Sequence, residues 1–262
     1  MKLKRYEGRE LADMRWCPQV LRDGEMDFLA FFTVFSGFRE PAYRSIARMI
    51  EVTGEDRVVE LCAGSGFGGL KMLGRLAELA RRPSLELLMT DLRPSRIWPK
   101  IEALGGKALS FRVVEALQAL REERGVFVMF AALHHLSPDE IASLVRSAAE
   151  NGTPLVSVDY FQRGRLVDLL PLLAGPLLMV LTAPLVFPFS VKRLVLTWIV
   201  PVLPVLLLVD TLLTIQRSYR VDELKRIVEG VELPQGARAS VRELTLCGGL
   251  IRQTCLEVRP RK

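Results

Sequence analysis

Asparagine occurs once in this chain, at Asn151, histidine twice and cysteine four times in 262 residues. The cysteines (Cys17, Cys62, Cys247, Cys255) show no metal-ligand spacing, and only two histidines could help them, so no metal site is expected. Reduced thiols in a cytoplasmic setting are the expectation instead. Aromatic residues make up only 7% and are not interleaved with basic ones, which argues against nucleic acid as a partner. Scarce asparagine beside abundant Arg, Glu and Leu fits a heat-adapted protein, or plain compositional drift. The start, "MKLKRYEGRELADMRW", has basic residues without an apolar run behind them, so it does not read as a signal peptide. No internal repeat or low-complexity linker is visible.

What is present is apolar and basic. Half of the residues are hydrophobic and the net charge is +6. The length fits one large domain, or one domain with an insert. The positive charge calls for an acidic neighbour, with anionic lipid ahead of nucleic acid, or reflects nothing more than an Arg-rich cytoplasmic protein.

Residues 1–54 read as helical, with "PAYRSIARMIEVTG" started by Pro41 and stopped by Gly54, and are expected to form a lid. From residue 57 the rhythm becomes strand and helix in alternation: "RVVELCA", "SLELLMTD", "ALSFRVV", "GVFVMFAALHHL" and "TPLVSVDYF" are short buried strands. Amphipathic helices separate them, one after Pro94, and one opened by Ser137 with Glu140 at the capping-box position. This pattern predicts a parallel sheet covered on both faces. "ARASVRELTLCGGLIRQTCLEVRP" closes the chain as two strands around a tight Cys-Gly-Gly turn, an antiparallel β-hairpin.

The first strand runs into "GSGFGG". Gly64, Gly66 and Gly69 satisfy G-x-G-x-x-G between a strand and a helix, a place where backbone can approach a ligand and free N–H groups point at it. A dinucleotide and S-adenosylmethionine both suit such a turn. Asp91, ending the second strand, could accept hydrogen bonds from ribose hydroxyls of either ligand. A plain tight turn is the bland reading.

"VVELCAGSGFG" resembles motif I of the class I S-adenosylmethionine-dependent methyltransferases. Glu60, Gly64 and Gly66 match that motif, and Cys62 stands where its first glycine usually does. The resemblance covers residues 55–160 and the last 45 or so, where the terminal hairpin is the ending this family has. It implies an α/β fold: a Rossmann-like, mostly parallel seven-stranded sheet ending in the antiparallel hairpin. It implies S-adenosylmethionine as cofactor, held by Glu60, Cys62, Gly64, Ser65, Gly66, Gly68 and Asp91, with Glu115 of "VVEALQAL" as acceptor for the adenine amino group. A carboxylate at a helix start is the other reading of Glu115. "RWCPQVLRD", "ALHHL" and "RSYRVDELKRIVEG" resemble a little-characterised bacterial and archaeal branch with an apolar insert. His134 and His135, at the end of the fourth strand, are the candidate general bases. Asp159 and Tyr160, ending the fifth, are candidates for the acceptor side. Packing and loop-edge roles are their ordinary alternatives.

Residues 163–216 interrupt the alternation. Residues 169–191 and 194–209 carry no ionisable side chain, and only Lys192 and Arg193 divide them. Both flanks return to one domain, so the chain crosses a bilayer twice or not at all. Six prolines break the segment into short pieces, favouring a hairpin that dips into one leaflet through residues 168–213, with the basic pair at headgroups. A two-pass hairpin and a buried subdomain or dimer interface are the alternatives. The expected organisation is lid 1–54, cofactor-binding core 55–162, insert 163–216 and sheet-completing segment 217–262. The expected function is methyl transfer at the cytoplasmic face of the cell membrane, to a lipid headgroup, quinone or isoprenoid. Methylation of a soluble molecule by an anchored enzyme, a non-catalytic cofactor-binding or scaffold protein, and a dehydrogenase remain open. The oligomeric state is not legible.

Overall fold

The five short apolar runs pair in parallel because a helix separates each from the next. A computed structural model describes residues 4–93, 95–249 and 251–260. The strands are β1 (Arg57–Leu61), β2 (Glu86–Asp91), β3 (Leu109–Val113), β4 (Val126–Phe130) and β5 (Leu155–Asp159), followed by β6 (Arg238–Leu246) and β7 (Ile251–Arg259). They form one seven-stranded sheet in the order β3-β2-β1-β4-β5-β7-β6. β1–β5 are parallel, and β7 runs antiparallel to both β5 and β6. The order reverses between β1 and β4, which opens a crevice at their carboxyl ends, where ligands bind in such sheets. The terminal hairpin is formed as the sequence predicts. Its two strands meet at Leu246 and Ile251.

The helices are α1 (Gln19–Ser36), α2 (Glu40–Thr53), α3 (Gly69–Leu79), α4 (Trp98–Gly105), α5 (Ala116–Glu122), α6 (Pro138–Glu150), α7 (Leu170–Thr182), α8 (Val191–Leu194), α9 (Val202–Arg217) and α10 (Val221–Glu229). The α6 capping box is present as the sequence predicts: Glu140 N donates to Ser137 Oγ at 3.2 Å, and Ser137 N to Glu140 Oε2 at 2.7 Å. α4 begins four residues after Pro94, which lies outside the described residues. One face of the sheet packs on α2, α3 and α4 through residues such as Ile46, Leu76 and Trp98. The other packs on α5, α6 and α10 through Leu120, Leu144 and Leu224.

The N-terminal lid is shorter than the expected 1–54. α2 carries Ala42, Tyr43, Ile46, Ala47 and Ile50 on one buried stripe and belongs to the core. Only the segment through α1 lies over the sheet's carboxyl edge, and it does so together with the insert. Phe28 of α1 forms a third apolar cluster with Met179, Val186, Leu203, Leu206 and Leu207.

The insert is built from α7, α8, a π-helical turn at Val195–Ile199, and α9. Among the described residues no single helix is long and apolar enough to cross a membrane, and the 191–199 and 202–217 pieces meet at a 79° bend. The basic pair divides its labour, contrary to the expectation that both face headgroups. Arg193 is 2% exposed, with Nη1 at 3.1 Å from Asp27 Oδ2 of α1 and Nη2 donating to the carbonyls of Val186 and Pro188. A loop of carbonyls with no helical partner must be satisfied from somewhere, and Arg193 does this from inside. Only Lys192 faces outward. The rest of the segment is apolar and uncovered. Of the 26 large hydrophobic side chains exposed among the described residues, 18 lie between Leu166 and Leu212.

Candidate active site

The glycine turn begins one residue early. Cys62, the first residue after β1, sits at φ +55°, a left-handed conformation that a glycine adopts at least cost. That explains why glycine usually occupies this place in the motif that the segment resembles. Cys62 is accessible in area yet walled in on most sides, as at the floor of a cleft. That surrounding protein, with the charge of Asp91, pushes its thiol up to about 12, so it offers no thiolate.

Gly64 and Gly66 follow at φ +58° and +70°. A Cβ on Gly66 would meet Trp98 Nε1 at 2.9 Å, and Trp98 donates that N–H to Gly64 O at 2.9 Å. Ser65 is buried, and its Oγ accepts from Phe67 N at 3.3 Å. Gly68 precedes α3 and is crowded by Arg39, whose Nη1 stands 3.0 Å from where a Cβ would be. Asp91 ends β2 beside the turn. Its Oδ2 accepts from Gly64 N at 2.8 Å and its Oδ1 from Arg93 N at 2.7 Å. Burial raises its pKa while these N–H groups hold it down.

Glu60 is 1% exposed. One oxygen takes a 2.9 Å ion pair from Arg39 Nη1, and the other has no hydrogen-bond partner among the described residues. A buried carboxylate oxygen without a partner is costly. An ammonium group arriving at the glycine turn would satisfy it. Two left-handed glycines, an acid at the end of β2 and an orphaned buried acid in β1 are together what an amino acid–nucleoside cofactor requires. Glu115 lies at the rim and caps α5, its two oxygens accepting from Leu117 N and Gln118 N at 3.2 Å each.

The turn is roofed. Met26 of α1 stands above Gly64, and Phe187 of the insert lies on Phe67 with ring centroids 5.6 Å apart. The apolar insert is therefore part of the cover of the cleft.

His134 and His135 follow β4 in a short 3-10 turn with rings 4.3 Å apart. His134 is buried between two carboxylates. Nδ1 lies 3.3 Å from both oxygens of Asp159, and Nε2 lies 3.4 Å from Glu10 Oε1. Only the doubly protonated ring donates to both sides. Burial opposes the charge, but Asp159 and Glu10 outweigh it and raise the pKa to about 9. Glu10, likewise buried, is pulled down to about 2 by His134, His135 and the hydroxyl of Thr214, which donates to it at 2.7 Å. His135 is one-third exposed, with Nδ1 3.1 Å from Asp13 Oδ2 and Nε2 3.8 Å from Glu10. The structure thus joins Asp159 to His134. It separates Tyr160, which projects to the other face of the sheet against Phe38 at 5.6 Å.

Glu10, His134 and His135 bring three donor atoms within 4.8 Å, close enough to hold a cation. Arg217 Nη1 already stands 4.0 Å from Glu10 and 3.9 Å from Asp13, so a guanidinium and an imidazolium supply the positive charge there.

The sequence offered no signal for Glu10, Asp13, Arg39 or Arg217. They reach the site from segments far away in the chain. The irregular N-terminal segment is latched in place by Asp210 of α9, which accepts from Leu11 N at 2.6 Å and Ala12 N at 2.8 Å. Arg5 donates to the carbonyls of His134, Leu136 and Arg217.

No protein-family model and no curated protein matches the chain. Solved structures do. An O-methyltransferase family protein from Burkholderia thailandensis is similar over 89% of this chain and 59% of its own, at 14% identity and TM-score 0.50. Human N-acetylserotonin methyltransferase, solved with S-adenosylmethionine, is similar over 94% of this chain and 57% of its own, at 11% identity and TM-score 0.53. The plantazolicin methyltransferase BamL, solved with S-adenosylhomocysteine, is similar over 92% and 98%, at 10% identity and TM-score 0.50. The chain therefore spans a little under three-fifths of the first two proteins and nearly all of the third. It has the fold of the class I S-adenosylmethionine-dependent methyltransferases, as the sequence resemblance implied.

Proposed function

We propose that this protein is an S-adenosylmethionine-dependent methyltransferase working at a membrane surface, on an acceptor carried in the lipid: a headgroup, a quinone or an isoprenoid. The observation that carries the reading is the placement of the insert. The segment that covers the cofactor cleft also holds most of the exposed apolar side chains, including Leu173 (73% exposed) and Leu177 (60%). Contiguous uncovered apolar surface on this scale marks an interaction site, and a shallow dip into one leaflet suits its short, bent helices. An acceptor dissolved in lipid would then reach the cleft without crossing water.

Glu60, Gly64, Gly66 and Asp91 would hold the cofactor, with the free Glu60 oxygen on its ammonium group. S-adenosylmethionine supplies a methyl group already activated on sulfur, so the protein mainly aligns the acceptor and keeps the site dry. His134 is spent as a charged strut between Asp159 and Glu10. His135 is the histidine free to accept a proton from an acceptor hydroxyl, with Asp13 orienting its ring.

The test is methyl transfer from labelled cofactor to a total lipid extract, with titration calorimetry for cofactor binding. Label is expected in the organic phase. His135→Ala should slow transfer roughly 10²–10⁴-fold while cofactor binding and unfolding temperature stay unchanged. Label confined to water-soluble products overturns the membrane-borne acceptor, and failure to bind S-adenosylmethionine overturns the enzyme.

A further inference from the structure

Glu60 of β1 and Arg39, the residue before α2, form an ion pair beside the glycine turn, with side chains 2% and 14% exposed. Each partner has a polar atom left over. Arg39 Nη1 meets Glu60 Oε1 at 2.9 Å, while Glu60 Oε2 and Arg39 Nε have no hydrogen-bond partner among the described residues. Neither side chain makes a second ion pair there.

The guanidinium is held in place from other directions. Its central carbon lies 4.3 Å from the ring centroid of Phe130, the last residue of β4. Nη1 stands against Gly68, just before α3. Tyr43 and Tyr160 are its remaining polar neighbours, and the Tyr160 hydroxyl also lacks a hydrogen-bond partner among the described residues. The nearest other acid to Glu60 is Asp91, which is engaged by the N–H groups of Gly64 and Arg93.

An unmatched guanidinium N–H beside an unmatched carboxylate oxygen costs free energy on both counts when buried. One ligand fragment relieves both: a zwitterion, with its ammonium toward Glu60 and its carboxylate toward Arg39. The ion pair carries no net charge and neither does a zwitterion, so the filled site stays neutral. An ammonium alone would leave an uncompensated buried positive charge. A dinucleotide presents a pyrophosphate and no ammonium, which would set negative charge near Glu60.

We infer that Arg39 is a cofactor-positioning residue that takes the α-carboxylate of S-adenosylmethionine, so that the Arg39–Glu60 pair selects the amino acid end of the cofactor. This rests on the cofactor named above and not on the membrane reading. The test is calorimetric titration of the full-length protein with three thioethers that differ only at that end: S-adenosylhomocysteine, its decarboxylated analogue, and methylthioadenosine, which lacks the amino acid end altogether. Wild type, Arg39→Gln and Arg39→Lys would be compared, with unfolding temperatures measured alongside.

Wild type should prefer S-adenosylhomocysteine to the decarboxylated analogue by roughly ten- to hundredfold, the worth of a charged hydrogen bond. Arg39→Gln should bring that ratio within about threefold and leave methylthioadenosine binding unchanged. Should Arg39→Gln fail to fold because Glu60 is left buried and unpaired, Arg39→Lys keeps a charge on Glu60 and must still show a smaller preference than wild type. A role confined to structure would weaken all three ligands in parallel, and that result overturns the inference. So does a wild type that binds the first two ligands equally, or a preference that survives in both variants; the cofactor reading stands in either case. If wild type binds none of the three, the cofactor reading and the inference fall together.

Discussion

Leu144 of α6 and Leu173 of α7 are the same residue on helices of similar length, and one is fully buried while the other is 73% exposed. The α/β core hides its leucines between sheet and helix. The insert hides only the stripe that meets α1 and leaves the rest uncovered. Polar groups are distributed in the opposite sense. The core edge and the cap meet in a buried network of Glu10, His134, Asp159, Arg217 and Asp210, while the outer surface of the insert carries hardly any charge. The comparison teaches that hydrophobicity makes the fold in one region and stays largely at the surface in the other.

The strongest way to break the comparison is to put charge on the outer surface. Leu173→Glu with Leu177→Glu should cost roughly 5 kcal/mol of membrane affinity and abolish sedimentation with neutral vesicles, with the unfolding temperature unchanged. Binding that survives would return the insert to the class of ordinary surface. The paired truncation comes next. Leu144→Ala should cost about 2–5 kcal/mol in chemical denaturation, and Leu173→Ala no more than about 0.5 kcal/mol. Equal costs would mean that the exposed face is covered after all.

Glu10→Gln tests the polar seam between the two regions. Removing one partner of a buried charge pair should cost about 3 kcal/mol, because Asp159 remains to hold His134. The same seam should give a pH dependence of about 2–3 kcal/mol at each end, read by denaturation from pH 2 to pH 10. His134 has its pKa raised to about 9, so its contribution is complete below its ordinary value near 6.5 and is lost as pH rises through 9. Glu10 is depressed to about 2, so its contribution is present above the ordinary carboxylate range and is lost as pH falls towards 2. A flat profile between pH 6.5 and 9 would show that His134 is not the charged strut.

The alternation of short apolar runs with amphipathic helices was enough to read the parallel sheet, the terminal hairpin and the α6 cap, because each is written in contiguous residues. Glycines 64 and 66, with Asp91, were legible for the same reason. The role of His134 was not, since its charge is set by Asp159 together with Glu10, which comes from an irregular segment 124 positions earlier held there by Asp210 of α9. Nor was the separation of Asp159 from Tyr160. Adjacent residues in a strand face opposite sides, and only the packed sheet says which side holds the histidines.

By itself the sequence determined the strand and helix periods, the conformational demands of the glycine turn, and an apolar segment too broken for one long helix. Those follow from local sterics, hydrogen bonding and residue spacing. The tertiary structure alone decided that α2 is core and not lid, that Arg193 faces inward, and that the insert roofs the cleft. Each of these depends on which distant groups are brought within a few ångströms, and burial and charge act only over that range.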